Sequence, residues 1–301
     1  MPLIRLNVSP ETGAITVHGS TQSPQDLLSR TGECPGPAII MVHGYKYQPN
    51  SPRHCPHQSI FDAKTGWPAA LGLGGGDALG ICFGWPARGS LAAMFATATQ
   101  TGLHLAKMIG MLHAATPERP IHLIAHSMGA EVVLSALEQA APGSVSRVVL
   151  ITGASFQSHA TRALHSPAGR KAELFNITTR ENDLFDFIFE RLLKAPKRND
   201  RALGQGIQSP NAVNIELDCP RTLTALDSLG AAIAAPARLV CHWSGYTRPG
   251  TMALYRALLL HPRQMPLRWL ADRLPHSLSP RWSRLPLAGL SKRRIMQRSP
   301  G

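Results

Sequence analysis

Short apolar runs alternate along most of the chain with stretches in which apolar residues recur at helical spacing. Apolar runs of strand length lie at residues 37–44, 78–85, 121–127, 146–155, 171–179 and 237–245. Helical periodicity follows several of them, most clearly at residues 90–115, from residue 129 to about residue 140, and at residues 251–260. Strands that alternate with helices form parallel sheets covered on both faces. The pattern therefore predicts the α/β class, with a mostly parallel central sheet and helices on both faces.

The two ends of the chain depart from this alternation. Residues 1–30 contain two short strand-like runs, and the Pro-, Gly- and His-rich residues 45–77 predict a long loop. From about Pro262 onward, prolines interrupt every long helix and arginines recur. The sequence therefore predicts one α/β domain over residues 1–262 and a basic, Pro- and Arg-rich appendage over residues 263–301.

Charge is distributed unevenly along the 301 residues. The formal net charge is +13, and from Cys241 to the end eleven Arg and Lys residues accompany a single acid, Asp272. This asymmetry predicts that the basic C-terminal segment contacts an anionic partner, either a membrane surface or a nucleic acid. The alternative is a solvated basic tail with no partner.

The sequence gives some indication of the compartment. The start, MPLIRLNVSPETG, lacks a cationic stretch followed by a continuous apolar run, and no run reaches the length of a membrane-spanning helix. The five cysteines are scattered and odd in number, which is not typical of a disulfide framework. We therefore expect a cytoplasmic location, with peripheral attachment to a membrane left open.

A single serine marks the change from strand to helix in IHLIAHSMGAEVVLSAL, residues 121–137. A strand that turns sharply into a helix presents one side chain at the bend, above the carboxyl ends of the strands where ligands bind. The segment Ala125-His126-Ser127-Met128-Gly129 resembles the G-x-S-x-G nucleophile elbow of the α/β-hydrolase superfamily, with Ala in place of the first Gly. The resemblance is best with an esterase-like branch whose members are largely of unknown function.

A second segment supports this resemblance. The apolar run at residues 37–44 ends in His43-Gly44 and is followed by Tyr45. In esterases of the superfamily an equivalent segment supplies one backbone N–H of the oxyanion hole, and the residue after the nucleophile supplies the other. The resemblance therefore implies an oxyanion hole made by Met128 and by Tyr45 or Gly44. A simple turn at the end of a strand is the alternative for His43-Gly44.

The order of the triad in the superfamily is serine, acid, histidine. Applied to this chain, it points to Asp183, just beyond the run at residues 171–179, as the acid that orients the base. Asp186 and Glu181 remain open as alternatives. His242 follows the apolar run LVC and is predicted to be the base.

These residues imply a serine hydrolase that cleaves an ester or thioester through an acyl-enzyme on Ser127. No metal or organic cofactor is required, and His54, Cys55 and His57 lack the further ligands of a metal site. The aromatic residues placed near the site are predicted to bind substrate, namely Trp85, Trp243 and Tyr246. Two rival interpretations remain open: a catalytically silent hydrolase fold that only binds ligand, and a membrane- or nucleic-acid-associated protein that uses its basic C-terminus.

Overall fold

The computed structural model describes residues 3–29, 35–73 and 75–285. Its centre is an eight-stranded sheet with the order β2-β1-β4-β3-β5-β6-β7-β8. Only the pair β1–β2 is antiparallel; every other neighbouring pair is parallel. The strands are β1 (Leu3–Val8), β2 (Ile15–Val17), β3 (Ala38–Val42), β4 (Leu79–Gly84), β5 (Ile121–His126), β6 (Arg147–Ile151), β7 (Glu173–Thr178) and β8 (Ala212–Glu216).

Ten α-helices connect these strands and cover the sheet within the described residues. They are α1 (Pro24–Ser29), α2 (Trp67–Ala70), α3 (Leu91–Ala115), α4 (Gly129–Gln139), α5 (Gln157–His165), α6 (Asp183–Leu192), α7 (Pro220–Ser228), α8 (Ser244–Thr247), α9 (Thr251–Leu260) and α10 (Leu267–Arg273). The predicted fold class, an α/β protein with a mostly parallel sheet covered by helices on both faces, is confirmed.

The two faces of the sheet carry separate apolar cores. In β3, Ile40 and Val42 pack into the core that holds α3 and α4, whereas Ile39 and Met41 pack into the core that holds α9 and α10. Neighbouring residues of a strand point to opposite faces, so a strand buried on both sides must be apolar throughout. This explains why the central strands appear in the sequence as unbroken apolar runs.

The predicted last strand is wrong. Residues 237–245 form no strand, and Leu239 and Val240 are exposed. The last strand is β8, which lies in a stretch where the sequence analysis placed no strand. Its sequence AVNIE alternates apolar and polar residues, so a strand with one polar face was visible in the pattern.

Part of the predicted appendage packs on the domain. Met265, Leu267, Leu270 and Leu274 are buried in the same core as α9. Residues 263–285 therefore form a continuous part of the packed structure, and the predicted boundary at Pro262 does not mark a break in packing. The remainder of the predicted appendage, residues 286–301, lies outside the described residues.

Two further properties concern the described part of the chain. None of its helices, including the 25-residue α3, is long and apolar enough to span a membrane. The cysteines at positions 55, 82, 219 and 241 are all free thiols.

Candidate active site

Ser127 lies at the sharp turn between β5 and α4. Its φ angle is 54°, in the left-handed region that side chains rarely adopt, which indicates a strained turn. The turn fits only because its neighbours are small. A Cβ on Gly44 would lie 2.7 Å from the Cβ of Ser127, and a Cβ on Gly129 would lie 2.7 Å from the carbonyl oxygens of Val42 and His43.

His242 lies far from Ser127 in the sequence but contacts it in the structure. Its Nε2 lies 2.8 Å from the Oγ of Ser127, although 115 residues separate them. The backbone of His242 is held in turn by the elbow, because its carbonyl accepts a hydrogen bond from the Nε2 of His126 at 3.1 Å. The ring of Phe185 stacks on the imidazole with 4.6 Å between centroids. A serine hydroxyl and an imidazole are therefore brought within hydrogen-bonding distance, which is the arrangement that an activated nucleophile requires.

The environment of His242 keeps its imidazole neutral. Burial, with smaller contributions from the neighbouring His126 and Lys46, holds the pKa of His242 well below its usual range. A neutral imidazole with its proton on Nδ1 has a free lone pair on Nε2. It is then ready to accept the proton of the Ser127 hydroxyl.

The group that faces Nδ1 of His242 is an amide. The Oδ1 of Asn182 lies 2.7 Å from Nδ1 and accepts a hydrogen bond from the Nδ1–H group. The predicted acid, Asp183, points elsewhere: it pairs with Arg180 at 3.1 Å and accepts a hydrogen bond from the backbone N–H of Trp282. The assignment of Asp183 to the imidazole is therefore corrected. Asn182 precedes α6, whereas Asp183 is its first residue, and the one-residue step turns the carboxylate away from the base.

The other two acids that the sequence left open have different surroundings. Glu181 pairs with Arg248, with 2.6 Å between Oε2 and Nη2. The Oδ1 of Asp186 accepts a hydrogen bond from the Nδ2 of Asn182 at 3.0 Å. A carboxylate oxygen facing Asn182 favours its NH₂ group on that side, so the amide oxygen is directed at His242. Asp186 thus orients the amide that contacts the base.

Asp186 is fully enclosed by the protein. Burial raises the pKa of Asp186 to about 7, against the lowering effect of Arg180 and Arg281. Gly204 lies so close to this carboxylate that an added Cβ would stand 1.9 Å from Oδ2. The absence of a side chain at Gly204 therefore makes room for Asp186 beneath the site.

Of the predicted oxyanion residues, Gly44 packs against Ser127 and Met128 directly follows it in the chain. Among the hydrogen bonds of the described residues, none satisfies the backbone N–H of Met128 or of Tyr45. Met128 stands at the start of α4, where N–H groups point out of the helix and the dipole is positive. Gly44, immediately before Tyr45, packs against Ser127. A Cβ on Gly44 would lie 3.3 Å from the Oγ of Ser127, so the backbone that leads to Tyr45 passes beside the hydroxyl.

Three aromatic residues were predicted to bind substrate, and they differ from one another in burial and contacts. Trp85 is completely buried, and its Nε1 donates to the carbonyl of His43 at 3.0 Å. The prediction that Trp85 lines the pocket is therefore corrected: it braces the loop beside the serine. Trp243 is 52% exposed next to His242. Tyr246 is half-buried against His126, with 4.9 Å between ring centroids.

Sequence reasoning missed two residues of the site. His126 anchors the loop of the base, and Asn182 contacts its imidazole. The sequence REND carries Asn182 directly beside the favoured acid, but an amide carries no signal in a triad pattern whose third member is a carboxylate. No comparable pattern marked His126 as the anchor of a distant loop.

The described residues contain no group of three or more His, Cys, Asp or Glu side chains arranged to hold a metal ion. The histidine that was weighed as a ligand, His57, bonds to Asn7 at 2.8 Å. Burial lowers the pKa of His57 to about 3, which is typical of a neutral histidine in a core.

Similarity to known proteins agrees with this architecture. Residues 26–152 match the model of a family described as an alpha/beta hydrolase of unknown function (DUF900). No curated protein gives a significant match.

Solved structures similar to this chain include two esterases of Trichoderma reesei. One is a cutinase in complex with a C11Y4 phosphonate inhibitor: it is 16% identical, with coverage of 50% of this chain and 71% of the cutinase and a TM-score of 0.29. The other is the catalytic core domain of acetyl xylan esterase: it is 12% identical, with coverage of 80% and 100% and a TM-score of 0.35. At similarity this low, the roles of residues in these esterases are not assigned to residues of this chain. The chain thus has a mostly parallel sheet with a strained turn at Ser127, and over residues 26–152 it is similar to a family described as alpha/beta hydrolases of unknown function.

Proposed function

We propose that this protein is a serine hydrolase that cleaves a carboxylic ester or thioester of a small molecule, with Ser127 as the nucleophile. The observation that carries the proposal is the hydrogen-bonded chain from the Ser127 hydroxyl through His242 to Asn182, with distances of 2.8 and 2.7 Å. The strained φ of Ser127 supports it, since strain of this kind concentrates at functional sites.

In this proposal His242 accepts the proton of Ser127 as the oxygen attacks the carbonyl carbon of the substrate. The oxyanion accepts hydrogen bonds from the backbone N–H groups of Met128 and Tyr45. His242 then returns the proton to the leaving alcohol or thiol. A water molecule, deprotonated by the same imidazole, releases the acid from the acyl-enzyme and restores the serine.

Asn182 has a positioning role in this scheme. Its Oδ1 accepts a hydrogen bond from the Nδ1–H of His242, which fixes the tautomer that leaves Nε2 free to accept a proton. A neutral amide stabilises the imidazolium less than a carboxylate does. An asparagine nevertheless occupies the third position of the Cys-His-Asn proteases, so an amide is compatible with nucleophilic catalysis.

A fluorophosphonate probe tests the nucleophile. We expect covalent labelling of the purified protein, located to Ser127 by peptide mass spectrometry, and no labelling of Ser127→Ala. Ser135, a buried serine of α4, provides the matched control, because Ser135→Ala should label like the parent. Absence of labelling in a folded protein would contradict the proposal and favour a catalytically silent fold that only binds ligand.

A series of model esters and thioesters tests the substrate class. We expect hydrolysis of at least part of a p-nitrophenyl ester series of increasing acyl length, and loss of turnover in Ser127→Ala and His242→Ala. Hydrolysis that persists in both variants would exclude this site as its source.

A further inference from the structure

The solvent-facing side of α6 is apolar, which is the reverse of an ordinary surface helix. Its acids Asp183 and Asp186 are buried. The exposed face carries large apolar side chains at i, i+3, i+4 and i+8, namely Leu184, Phe187, Ile188 and Leu192. A helix on the surface of a globular protein usually turns its polar residues to water. This stripe therefore needs a reason other than folding.

A second apolar segment lies against the same helix. Arg238 and Cys241 donate backbone hydrogen bonds to Glu181, at 2.8 and 2.9 Å, and Glu181 stands two residues before α6. Between and beyond these anchors lie three exposed side chains, Leu239, Val240 and Trp243. We call these three, together with Leu184, Phe187, Ile188 and Leu192, the apolar rim.

The apolar rim concentrates the exposed apolar surface of the protein in one place. In the described part of the chain eight large apolar side chains are exposed, and seven of them form the rim. The eighth is Met111, on α3. The rim also borders the site, because Phe185 of α6 stacks on His242 and Trp243 follows His242 in the chain. Exposed apolar side chains grouped on two neighbouring segments beside a site are typical of an interaction surface.

The charges around the apolar rim are of one sign. Its exposed cations are Arg191, Lys194, Lys197, Arg198 and Arg238. The acids from residue 181 to residue 200 are buried or bonded: Glu181, Asp183 and Asp186 are buried, Glu190 pairs with Arg201 and Arg281, and Asp200 accepts a hydrogen bond from Ser158. The surface is thus apolar at its centre and cationic at its edge.

We infer that the apolar rim docks on an anionic lipid–water interface. The apolar side chains enter the outer part of the lipid layer, and the cations at the edge contact lipid phosphates. Arg191 lies over the ring of Phe187, with 5.1 Å from Cζ to the ring centroid, so its charge lies beside the apolar stripe. Trp243 has the mixed character that places aromatic residues at membrane interfaces.

Docking in this way turns the Ser127 site toward the lipid layer. If the proposed hydrolase function holds, on which this one step rests, the substrate is an ester carried in that layer. The lipid contact itself does not depend on catalysis. It can therefore be tested in a protein that lacks the nucleophile.

The test measures co-sedimentation of the full chain carrying Ser127→Ala with lipid vesicles. We expect binding to vesicles of equal parts phosphatidylcholine and phosphatidylglycerol, and much weaker binding to vesicles of phosphatidylcholine alone. Binding to the mixed vesicles should weaken as salt increases, because surface charges are screened. Equal binding to both kinds of vesicle, or to neither, would overturn the inference.

Matched substitutions assign the contact to the apolar rim. Ile188→Glu should lower the partition coefficient for mixed vesicles by roughly tenfold or more, since it replaces a buried apolar contact with a charge. Met111→Glu adds the same charge at a similarly exposed position outside the rim, 38% exposed against 41% for Ile188, and should bind like the parent. Equal losses in both variants would overturn the inference.

A second pair of variants distinguishes the effect of the cations beside the apolar rim from the effect of the net charge of the protein. The double variant Lys194→Gln/Lys197→Gln should bind mixed vesicles more weakly than Lys64→Gln/Lys171→Gln, in which the exposed lysines lie elsewhere. All variants must first show the same circular dichroism spectrum and thermal midpoint as the parent.

Two results would assign the surface to another partner. If Ile188→Glu left vesicle binding intact while Lys292→Gln/Arg293→Gln/Arg294→Gln abolished it, the C-terminal cations alone would be responsible. If Ile188→Glu converted a dimer to a monomer in light scattering without changing vesicle binding, the rim would be an interface between copies of the chain. Either result overturns the docking inference and leaves fluorophosphonate labelling of Ser127 unaffected.

Discussion

At the scale of single residues, the site depends on a relay of three polar groups behind the serine. Asp186 orients Asn182, Asn182 orients His242, and His242 faces Ser127. Each of these groups is enclosed by the protein, so each bond is made in a medium where an unpaired partner is costly. The order of the relay makes different predictions for neighbouring residues.

Substitutions of Asn182 and of its neighbour Asp183 are predicted to have clearly different effects on catalysis. We expect Asn182→Leu to lower the kcat of ester hydrolysis roughly a hundredfold or more, because it removes the acceptor that fixes the imidazole. Asp183→Asn keeps an acceptor for the N–H of Trp282 and should lower kcat far less. Steady-state kinetics on a soluble ester provide the measurement. A larger loss in Asp183→Asn would return the acid role to Asp183.

Asp186 gives a prediction for stability as a function of pH. Its pKa of about 7 in the folded state lies above the value of roughly 3.9 in an unfolded chain, so folding becomes less favourable as pH rises between these values. Asp186→Asn removes this penalty. Relative to the parent, the variant should gain on the order of a few kcal/mol of unfolding free energy between pH 4 and pH 8.

Urea unfolding at both pH values measures this gain. Asp227→Asn is the control, because Asp227 is an exposed carboxylate of α7 and its removal should change stability little at either pH. A gain for Asp186→Asn that stays constant with pH would show that Asp186 is ionised to the same extent in the folded and unfolded states.

At the scale of elements, the site is held by the close approach of β3 to the start of α4. Gly129, the first residue of α4, packs against the carbonyl oxygens of Val42 and His43. No side chain fits in that contact, so the strand and the helix meet through their backbones. The strained serine turn is thereby fixed against the loop that follows β3.

Gly129→Ala should therefore be destabilising. Its new Cβ would overlap backbone oxygens at 2.7 Å, and overpacking of this kind costs about 1–3 kcal/mol. Gly110→Ala in α3 offers the control, since nothing lies within 4 Å of the added Cβ and alanine favours a helix. Thermal unfolding of the two variants should shift in opposite directions.

The elements that sequence reasoning identified share one physical property. The runs at β3, β4 and β5 are buried on both faces and consist mainly of apolar residues, so their composition marks them as strands. The serine turn is similarly visible, because a serine between an apolar strand and a helix is a local pattern.

The elements that were missed or misassigned depend on contacts across the chain. β8 was missed although its pattern favours a strand, and its polar residues Asn214 and Glu216 bond to residues that are distant in the sequence. The run LVC at residues 239–241 looked like a buried strand, but Leu239 and Val240 face outward. The choice between Asn182 and Asp183 depends on the direction in which α6 starts, which the sequence alone does not reveal.

At the scale of the whole molecule, residues 263–285 are part of the packed fold. Leu270 of α10 is completely buried in the core that also holds α9. Leu270→Ala should lower the free energy of unfolding by about 2–5 kcal/mol through lost burial and a cavity. Leu192→Ala, at a side chain that is 63% exposed, should change it by much less. Comparable small effects in both would indicate a detachable segment.

The position of β8 at the end of the sheet gives this packing a further importance. β8 pairs with β7 on one side only, and α10 and Leu278 lie beside it, with Leu278 close to Gly206 and Ser279 bonded to Glu216. Loss of this segment would expose β8 as an edge strand whose free backbone groups can pair with strands of other molecules. Residues 263–285 therefore protect the protein against aggregation, and forms that lack them should aggregate at high concentration.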